Sequence, residues 1–199
     1  MRISFEMNHS VSIAGYNTRL RPVRILDAEF ILRLRNMPHV VGTVGDTVPE
    51  VAGQRRWIQD YFQRNNDYYF IIESLLGHPW GTIGIYNFTA GGAEWGRWII
   101  LPGIMAAVPS AVLVHQLAFQ HFGLAELRGE VVSGNSKVLS FQRRFGCLET
   151  GIVRQNRIIQ GKPVEMVRFV MSRIQWTGAC KRLKLLAEVA GRSLEEVQI

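Results

Sequence analysis

The chain has 199 residues, of which 47% are apolar, 20% are charged and 10% are aromatic. A chain of this size and composition buries about 70% of its unfolded surface, which excludes disorder, collagen and a small disulfide-stapled fold. The length predicts one domain with a modest appendage. With 23 basic and 16 acidic residues, the formal net charge is +7. This charge favours a polyanionic partner without distinguishing a coenzyme, a nucleotide sugar or a nucleic acid.

Neither a membrane span nor a metal site is expected. The most apolar runs, residues 98–101 and 111–114, are much shorter than the roughly 20 residues of a transmembrane helix. The first ten residues lack the apolar segment of a signal peptide, so a cytoplasmic location is predicted. The two cysteines form no CxxC pair, and the five histidines do not have metal-ligand spacing.

Strand-like and helix-like segments alternate along the chain, which predicts a mixed α+β domain whose sheet is covered by helices. The N-terminal half begins with a strand and a short helix that Asp27 can cap. A longer helix follows, with Thr47 and Glu50 spaced as a capping box, and then a three-strand antiparallel meander. These elements are predicted over residues 17–23, 28–35, 48–64, 68–74, 81–88 and 94–100.

The C-terminal half is predicted to form a β-helix-β crossover and a hairpin. A buried helix begins at Pro109, and a basic amphipathic helix near the end of the chain stops at Gly191. Residues 1–176 are expected to be the domain and 177–199 a helical appendage. The sheet would be mostly antiparallel, with about six to seven strands and about four flanking helices. The elements of this half are predicted over residues 110–122, 126–132, 136–145, 150–159, 164–174 and 180–190.

A family resemblance is carried by three stretches, GTIGIYNF, AEWGRWII and LRGEVVSGNSKVLSFQRRFGCLETG. Together they resemble the central motifs of the GNAT superfamily of acyl-CoA-dependent N-acetyltransferases, especially its ribosomal-protein and nucleotide-aminosugar branches. The resemblance covers roughly residues 17–174. It implies acetyl transfer from the thioester of acetyl-CoA to an amine. The most specific part is Asn135, followed by Phe141, Arg144, Phe145 and Gly146.

The loop expected to bind the coenzyme departs from the family pattern. In the family, a basic glycine-rich loop at a helix N-terminus binds the pyrophosphate, because free amides and the helix dipole favour an anion. Here the motif glycines fall on Met105 and Ala107, and the loop carries no Arg or Lys. Either the small residues still admit phosphate, with charge supplied by Arg143 or Arg144, or the coenzyme site has decayed. The coenzyme contacts implied by the resemblance are Trp98, Ile99, Ile100, Met105, Ala106, Ala107, Val108, Asn135, Phe141 and Arg144.

The resemblance also suggests catalytic groups. Backbone amides near Trp98 would polarise the thioester carbonyl. Gln142 occupies the position of a family tyrosine that protonates the leaving thiolate, and its amide can only hydrogen-bond. Glu94 is the leading candidate for the general base, and the alternative is that it is only a solvated residue at a strand start. Strand alternation would place Glu94 and Arg97 on opposite faces, so that only one of them could face the acceptor.

The acceptor pocket is expected between the first helices, their connecting loop and the strand after them. Its candidate polar residues are His39, Asp46, Glu73 and Arg97. The acceptor would be a small-molecule or peptide amine, bound by a monomer or homodimer. A non-catalytic binding module with a degenerate coenzyme site is the main alternative. Nucleic-acid binding by the basic tail is a weaker one, because no aromatic residues are interleaved with its basic residues.

Overall fold

The computed structural model describes residues 7–195, without the side chains of residues 155, 156 and 195. Eight strands form one sheet in the order β1-β2-β3-β4-β5-β6-β8-β7. The strands are β1 (Ile13–Gly15), β2 (Thr18–Pro22), β3 (Tyr68–Ser74), β4 (Pro79–Tyr86), β5 (Gly92–Ile100), β6 (Glu126–Val132), β7 (Leu148–Ile159) and β8 (Lys162–Ser172). The helices are α1 (Ala28–Arg35), α2 (Val51–Tyr61), α3 (Ala107–Gln116), α4 (Ser136–Phe145) and α5 (Arg173–Glu195).

The sheet is antiparallel except where β5 pairs with β6, the two strands joined by the α3 crossover. Helices α1 and α2 cover one face around a core that contains Ile58, Tyr61 and Ile71. The main core on the other face is built by α3 and α5 with the sheet. The predicted mixed fold, the meander and the crossover are therefore confirmed.

The sheet has eight strands, one more than the upper expected count. The additional strand is β1, which was not predicted because it is only three residues long and carries no recognisable pattern. It pairs with β2 through a two-residue turn. Both turn residues, Tyr16 and Asn17, have positive φ, +56° and +55°. This is the geometry of the type I′ turns that join tight hairpins.

Two predicted helix starts were wrong. Helix α2 begins at Val51 with Glu50 as its N-cap and no side-chain cap. The expected capping box does not form, because Thr47 Oγ1 instead accepts a hydrogen bond of 3.1 Å from Arg35 Nε, which holds the α1–α2 loop. Helix α3 begins at Ala107, so Pro109 is its third residue, where a missing amide hydrogen removes no helical hydrogen bond.

The long C-terminal helix α5 also differs from the prediction. It starts at Arg173, which shortens the last strand, and it continues through Gly191. A Cβ on Gly191 would lie 2.6 Å from the Tyr16 carbonyl oxygen, so this glycine permits a close approach instead of ending the helix. Trp176 and Leu183 are buried in the main core, and residues 196–199 of the expected appendage lie outside the described residues. Neither α5 nor another helix within residues 7–195 has the length and apolar character to cross a membrane.

An imidazole lies inside the main core. His115 of α3 is fully buried, and its ring centroid lies 4.8 Å from Phe145, 5.2 Å from Trp95 and 5.5 Å from Trp176. Its Nδ1 donates to the Ala111 carbonyl at 2.7 Å. Burial lowers the pKa of His115 to about 4, although this hydrogen bond opposes the shift. The imidazole is therefore neutral near pH 7.

The pKa of His115 predicts an acid-sensitive stability. The unfolded histidine, with its ordinary pKa of 6.5, takes up a proton that the folded protein cannot bind until about pH 4. Stability is therefore lost as pH falls through this window, and His115 contributes about 2 kcal/mol of loss between about pH 7 and pH 5. We expect His115→Leu to show a correspondingly smaller loss in urea unfolding. Burial also lowers the pKa of His9 to about 4, and this background is common to both proteins. Equal losses in wild type and variant would contradict the assignment.

Candidate functional site

Strands β5 and β6 touch at one end only. Their parallel pairing is limited to Gly92–Glu94 on β5 opposite Glu126–Arg128 on β6. A Cβ on Gly92 would lie 2.3 Å from the Glu126 carbonyl oxygen, so glycine is needed for this close contact. Beyond it the strands separate. The gap between them forms a cleft in the interior of the sheet.

The gap holds a cavity of about 610 Å³, which we call the cleft pocket. Its walls come from the separated halves of β5 and β6, the α1–α2 loop, the loop between β5 and α3, and α4 as far as Gln142. The lining residues used below are His39, Gly96, Arg97, Trp98, Ile99, Ile100, Ala107, Glu130, Asn135, Lys137, Phe141 and Gln142.

The cleft pocket combines aromatic and amide surfaces. The ring of Trp98 lies 4.7 Å from that of Phe141, and its Nε1 donates to Ser110 Oγ at 3.2 Å. Asn135 caps α4 by accepting from the Val138 amide at 3.3 Å, so it is both a cap and a wall of the pocket. Gln142 is only 3% exposed, and its Oε1 has no hydrogen-bond partner among the described residues.

A second cavity of about 350 Å³, the side pocket, lies on the face covered by α1 and α2. Three aromatic side chains line it together with three arginines and two carboxylates: Trp57, Tyr69, Tyr86, Arg35, Arg97, Arg157, Asp46 and Glu130. The two pockets share Gly96 and Arg97 of β5, Glu130 of β6, and Thr43 and Val44 of the α1–α2 loop. The separated strands thus form a junction through which a ligand in one pocket can meet a ligand in the other.

Comparison with known proteins agrees with this architecture. Residues 17–148 match the family model described as an acetyltransferase (GNAT) domain. That match spans about two thirds of the chain. The chain belongs to the GNAT acetyltransferases. Among curated protein sequences, none matches this GNAT domain significantly.

Three solved GNAT structures resemble it. FdhC, a nucleotide-linked sugar GNAT, has 28% sequence identity and a TM-score of 0.71, and the match covers 87% of this chain and 97% of FdhC. An N-acetyltransferase from Brucella melitensis has 18% identity and a TM-score of 0.76, covering 91% and 85%. A variant of the spermidine N-acetyltransferase SpeG from Vibrio cholerae has 16% identity and a TM-score of 0.71, covering 83% and 99%. At these low identities, the second and third structures show only that the fold is shared.

The structure brings most of the expected coenzyme residues of the GNAT domain to the cleft pocket. Six of them line it: Trp98, Ile99, Ile100, Ala107, Asn135 and Phe141. Met105, Ala106 and Val108 lie in the adjoining loop and first helical turn, outside the lining. Arg144 is exposed on α4 and also lies outside the lining.

The residues that supply positive charge to the cleft pocket differ from the expected Arg143 and Arg144. Arg143 pairs with Glu149 at 2.8 Å, and the lining cations are instead Arg97 and Lys137, of which the sequence analysis missed Lys137. The position of Lys137, two residues after the cap Asn135 and in the first turn of α4, is the signal that could have identified it.

The expected alternation of β5 was wrong. Thr82 pairs with Ile99 and Gly84 with Gly96, so two residues of β5 face a single residue of β4. This bulge has Arg97 at a φ of +52°. It places Trp95 and Trp98 on one side of the sheet, with their rings 5.4 Å apart. Arg97 therefore lies on the same face of the sheet as Glu94, the face opposite to the two tryptophans. The expectation that only one of Glu94 and Arg97 could face the acceptor side was wrong.

The remaining predicted residues are dispersed. Glu94 accepts a hydrogen bond from Asn87 Nδ2 at 3.1 Å and lies outside the lining of both pockets. Glu73 is buried on β3 and does not reach either pocket, because Arg19 and Arg21 donate to its carboxylate at 2.6 and 2.8 Å.

The two residues of the α1–α2 loop lie at the pocket walls. His39 is exposed at the cleft pocket. Asp46 lines the side pocket, where its Oδ1 accepts from the Gln160 amide at 2.8 Å and ties the loop to the β7–β8 hairpin.

Glu130 is the most important residue that sequence reasoning missed. It lines both pockets, and its carboxylate is 2.9 Å from Arg168 Nε and 3.4 Å from Arg157. Its side chain is 14% exposed. No local sequence signal marks Glu130, because its place depends on the pairing of β6 with β5, which ends two residues earlier at Arg128.

A close contact at the junction gives a stability prediction. A Cβ on Gly96 would lie 2.4 Å from the Tyr86 hydroxyl, and the Tyr86 ring cannot move freely because the Arg97 guanidinium lies 4.3 Å from its centroid. Burial raises the pKa of Tyr86, so the hydroxyl remains protonated. We expect Gly96→Ala to destabilise the protein by about 1–3 kcal/mol in chemical unfolding.

The double variant Gly96→Ala, Tyr86→Phe tests the cause of this loss. Removing the hydroxyl removes the contacted atom, so the double variant should be more stable than Gly96→Ala alone. Additive losses for the two substitutions would contradict a direct clash between these positions.

Proposed function

We propose that this GNAT domain transfers an acetyl group from acetyl-CoA to a primary amine of a small molecule, with a nucleotide-linked amino sugar as the first candidate acceptor. The observation that carries the proposal is the meeting of the cleft pocket and the side pocket at Gly96, Arg97 and Glu130. An acyl donor in one and an amine in the other would be aligned without a covalent enzyme intermediate. Positioning of this kind supplies about 7–11 kcal/mol in favourable cases.

The cleft pocket has surfaces that suit a long ligand with amide and apolar parts. Trp98 and Phe141 provide an apolar wall, and Gln142 Oε1, which no described residue hydrogen-bonds, is a buried acceptor for an amide hydrogen. We assign the backbone amides of 98–100 to the thioester carbonyl, which they would polarise. The amides of Ala107 and Val108 at the start of α3 and the cation of Lys137 in the first turn of α4 would face the pyrophosphate.

The leaving group needs little help from the protein. A thiol with a pKa of about 8.5 departs as thiolate without a strong acid. Gln142 can donate a hydrogen bond from its amide nitrogen but cannot usefully donate a proton at neutral pH. We therefore assign Gln142 to hydrogen bonding at the sulfur end of the cleft, and no side chain to proton donation.

The amine must lose a proton before or during attack. Two carboxylates compete for this role. Glu94 was expected from the sequence, but Glu130 lines both pockets at their junction. We assign the proton-accepting role to Glu130, with Arg157 and Arg168 fixing its carboxylate.

The acceptor assignment is supported by the side pocket. Arg35 and Arg157 provide cations, and Trp57, Tyr69 and Tyr86 provide aromatic surface, as a phosphorylated ligand with a base or sugar ring requires. FdhC, at 28% identity, is described as a nucleotide-linked sugar GNAT. A protein N-terminus is the alternative acceptor. The cytoplasmic location, the monomeric or homodimeric state and the absence of a metal remain predictions from the sequence.

A second candidate function is a non-catalytic binding module. It is favoured by the altered loop, where Met105 and Ala107 replace the family glycines and Pro109 removes one amide donor from the first turn of α3. Fewer donors for a pyrophosphate would weaken coenzyme binding.

Calorimetric titration with acetyl-CoA separates the two functions. We expect micromolar binding by the wild type and its loss in Ala107→Glu, which puts bulk and negative charge at the start of α3. Ala52→Glu, the same substitution at an exposed site on α2, is the matched control and should bind like wild type. Absence of wild-type binding at millimolar acetyl-CoA would favour the non-catalytic module.

The two candidate bases can be compared directly. With nucleotide-linked amino sugars as acceptors and thiol release as the readout, Glu130→Gln should lower kcat by roughly 10²–10⁴-fold with unchanged acetyl-CoA affinity. Glu94→Gln should remain within a few-fold of wild type. The opposite pattern, with loss only in Glu94→Gln, would return the role to Glu94.

A further inference from the structure

A buried ion pair lies directly behind the junction of the two pockets. Arg97 Nη1 and Nη2 donate to Asp67 Oδ1 and Oδ2 at 2.5 and 2.8 Å, with side-chain exposures of 18% and 9%. The guanidinium also lies over the rings of Tyr86 and Tyr69, at 4.3 and 5.2 Å from their centroids. Burial alone would lower the pKa of Arg97, but the hydrogen bond and charge of Asp67 outweigh it and raise the pKa. Both the edge and the face of this cation are therefore occupied by the protein itself.

The same arginine has an unusual backbone. Its φ of +52° lies in the left-handed region, which residues with a Cβ rarely adopt. Such conformations persist only when the surroundings hold them. Two restraints do so here: the bidentate pair with Asp67, which directly precedes β3, and a hydrogen bond of 2.7 Å from Thr82 Oγ1 to the Arg97 carbonyl.

The restrained residue forms the bulge of β5, and the bulge determines which part of the strand faces which pocket. Gly96 and Arg97 line both pockets, while Trp98 turns to the cleft side. The amides assigned to the thioester, in residues 98–100, follow immediately. A shift of this backbone would move these amides relative to both ligands.

We infer that the Asp67–Arg97 ion pair is a positioning element for acyl transfer: it holds the left-handed bulge of β5, and with it the backbone amides that contact the acetyl carbonyl. The inference rests on the proposed function, because it requires acetyl-CoA in the cleft pocket. It also reassigns Arg97, which the sequence suggested as an acceptor ligand. A guanidinium engaged by Asp67 at its edge and by Tyr86 at its face has little capacity left for an acceptor.

The test separates contact with the acetyl group from binding of the rest of the coenzyme. Calorimetry with acetyl-CoA and with free CoA gives the ratio of the two dissociation constants for each variant. We expect the wild type to bind acetyl-CoA more tightly than free CoA. In Asp67→Asn the ratio of the two dissociation constants should fall by about tenfold in favour of free CoA, while the affinity for free CoA stays nearly unchanged. Thr82→Val removes the second restraint on the same bulge and should lose part of the preference.

A spectroscopic readout accompanies the affinities. With acetyl-CoA labelled with carbon-13 at the carbonyl, the resonance of the bound wild-type complex should move downfield, because hydrogen bonds polarise the carbonyl. In Asp67→Asn it should return toward the free position. Thermal unfolding of each variant shows whether it is folded at the temperature used.

Glu73→Gln is the matched control. Glu73 is also a buried carboxylate held by arginines, but it lies on β3 outside both pocket linings. It should retain the acetyl preference and the carbonyl shift. Equal loss of preference in Asp67→Asn and Glu73→Gln would overturn the positioning role, as would a wild type that binds acetyl-CoA and CoA equally. A wild type that binds neither would contradict the proposed function itself and this inference with it.

Discussion

Strand β5 is hydrogen-bonded to β4 along its length but to β6 over only three residue pairs, and the functional architecture depends on this constraint. The short contact is possible because Gly92 lets the two backbones approach. Beyond it, the strands separate and leave their inner edges to line a cleft. The bulge at Arg97 then turns Trp98 into the cleft and keeps Arg97 on the opposite face, where the side pocket lies. One strand therefore serves two pockets.

Charge around the junction is largely compensated within the protein. Arg97 is paired with Asp67, and Glu130 is paired with Arg157 and Arg168. Such pairs are held by geometry and hydrogen bonds, since the cost of desolvation offsets much of their attraction. The α3 end of the cleft differs, because the loop before α3 has no basic residue, and Lys137 of α4 is a lining cation with no ion pair among the described residues. The excess positive charge of the chain is thus not concentrated at the coenzyme loop.

The sequence predicted the order of the main elements, because apolar periodicity and turn residues are local signals. It also predicted much of the cleft lining through the family resemblance, including Trp98, Asn135 and Phe141. It failed where tertiary contacts decide the outcome. Alternation along β5 could not reveal a bulge that a distant Asp67 helps to hold, and the local sequence around Gly191 could not show that Tyr16 approaches it. Glu130 was missed for the same reason: its role depends on where β5 and β6 separate.

Hydrogen–deuterium exchange with and without acetyl-CoA tests the central claim, that the gap between β5 and β6 is the coenzyme site. The account predicts slower exchange in two regions, residues 96–108 and 129–142, which form the cleft and its adjoining loop. Exchange in β2 and in the exposed turns of α5 should be unchanged. Protection confined to elements away from the cleft, or binding without protection of either region, would contradict the account.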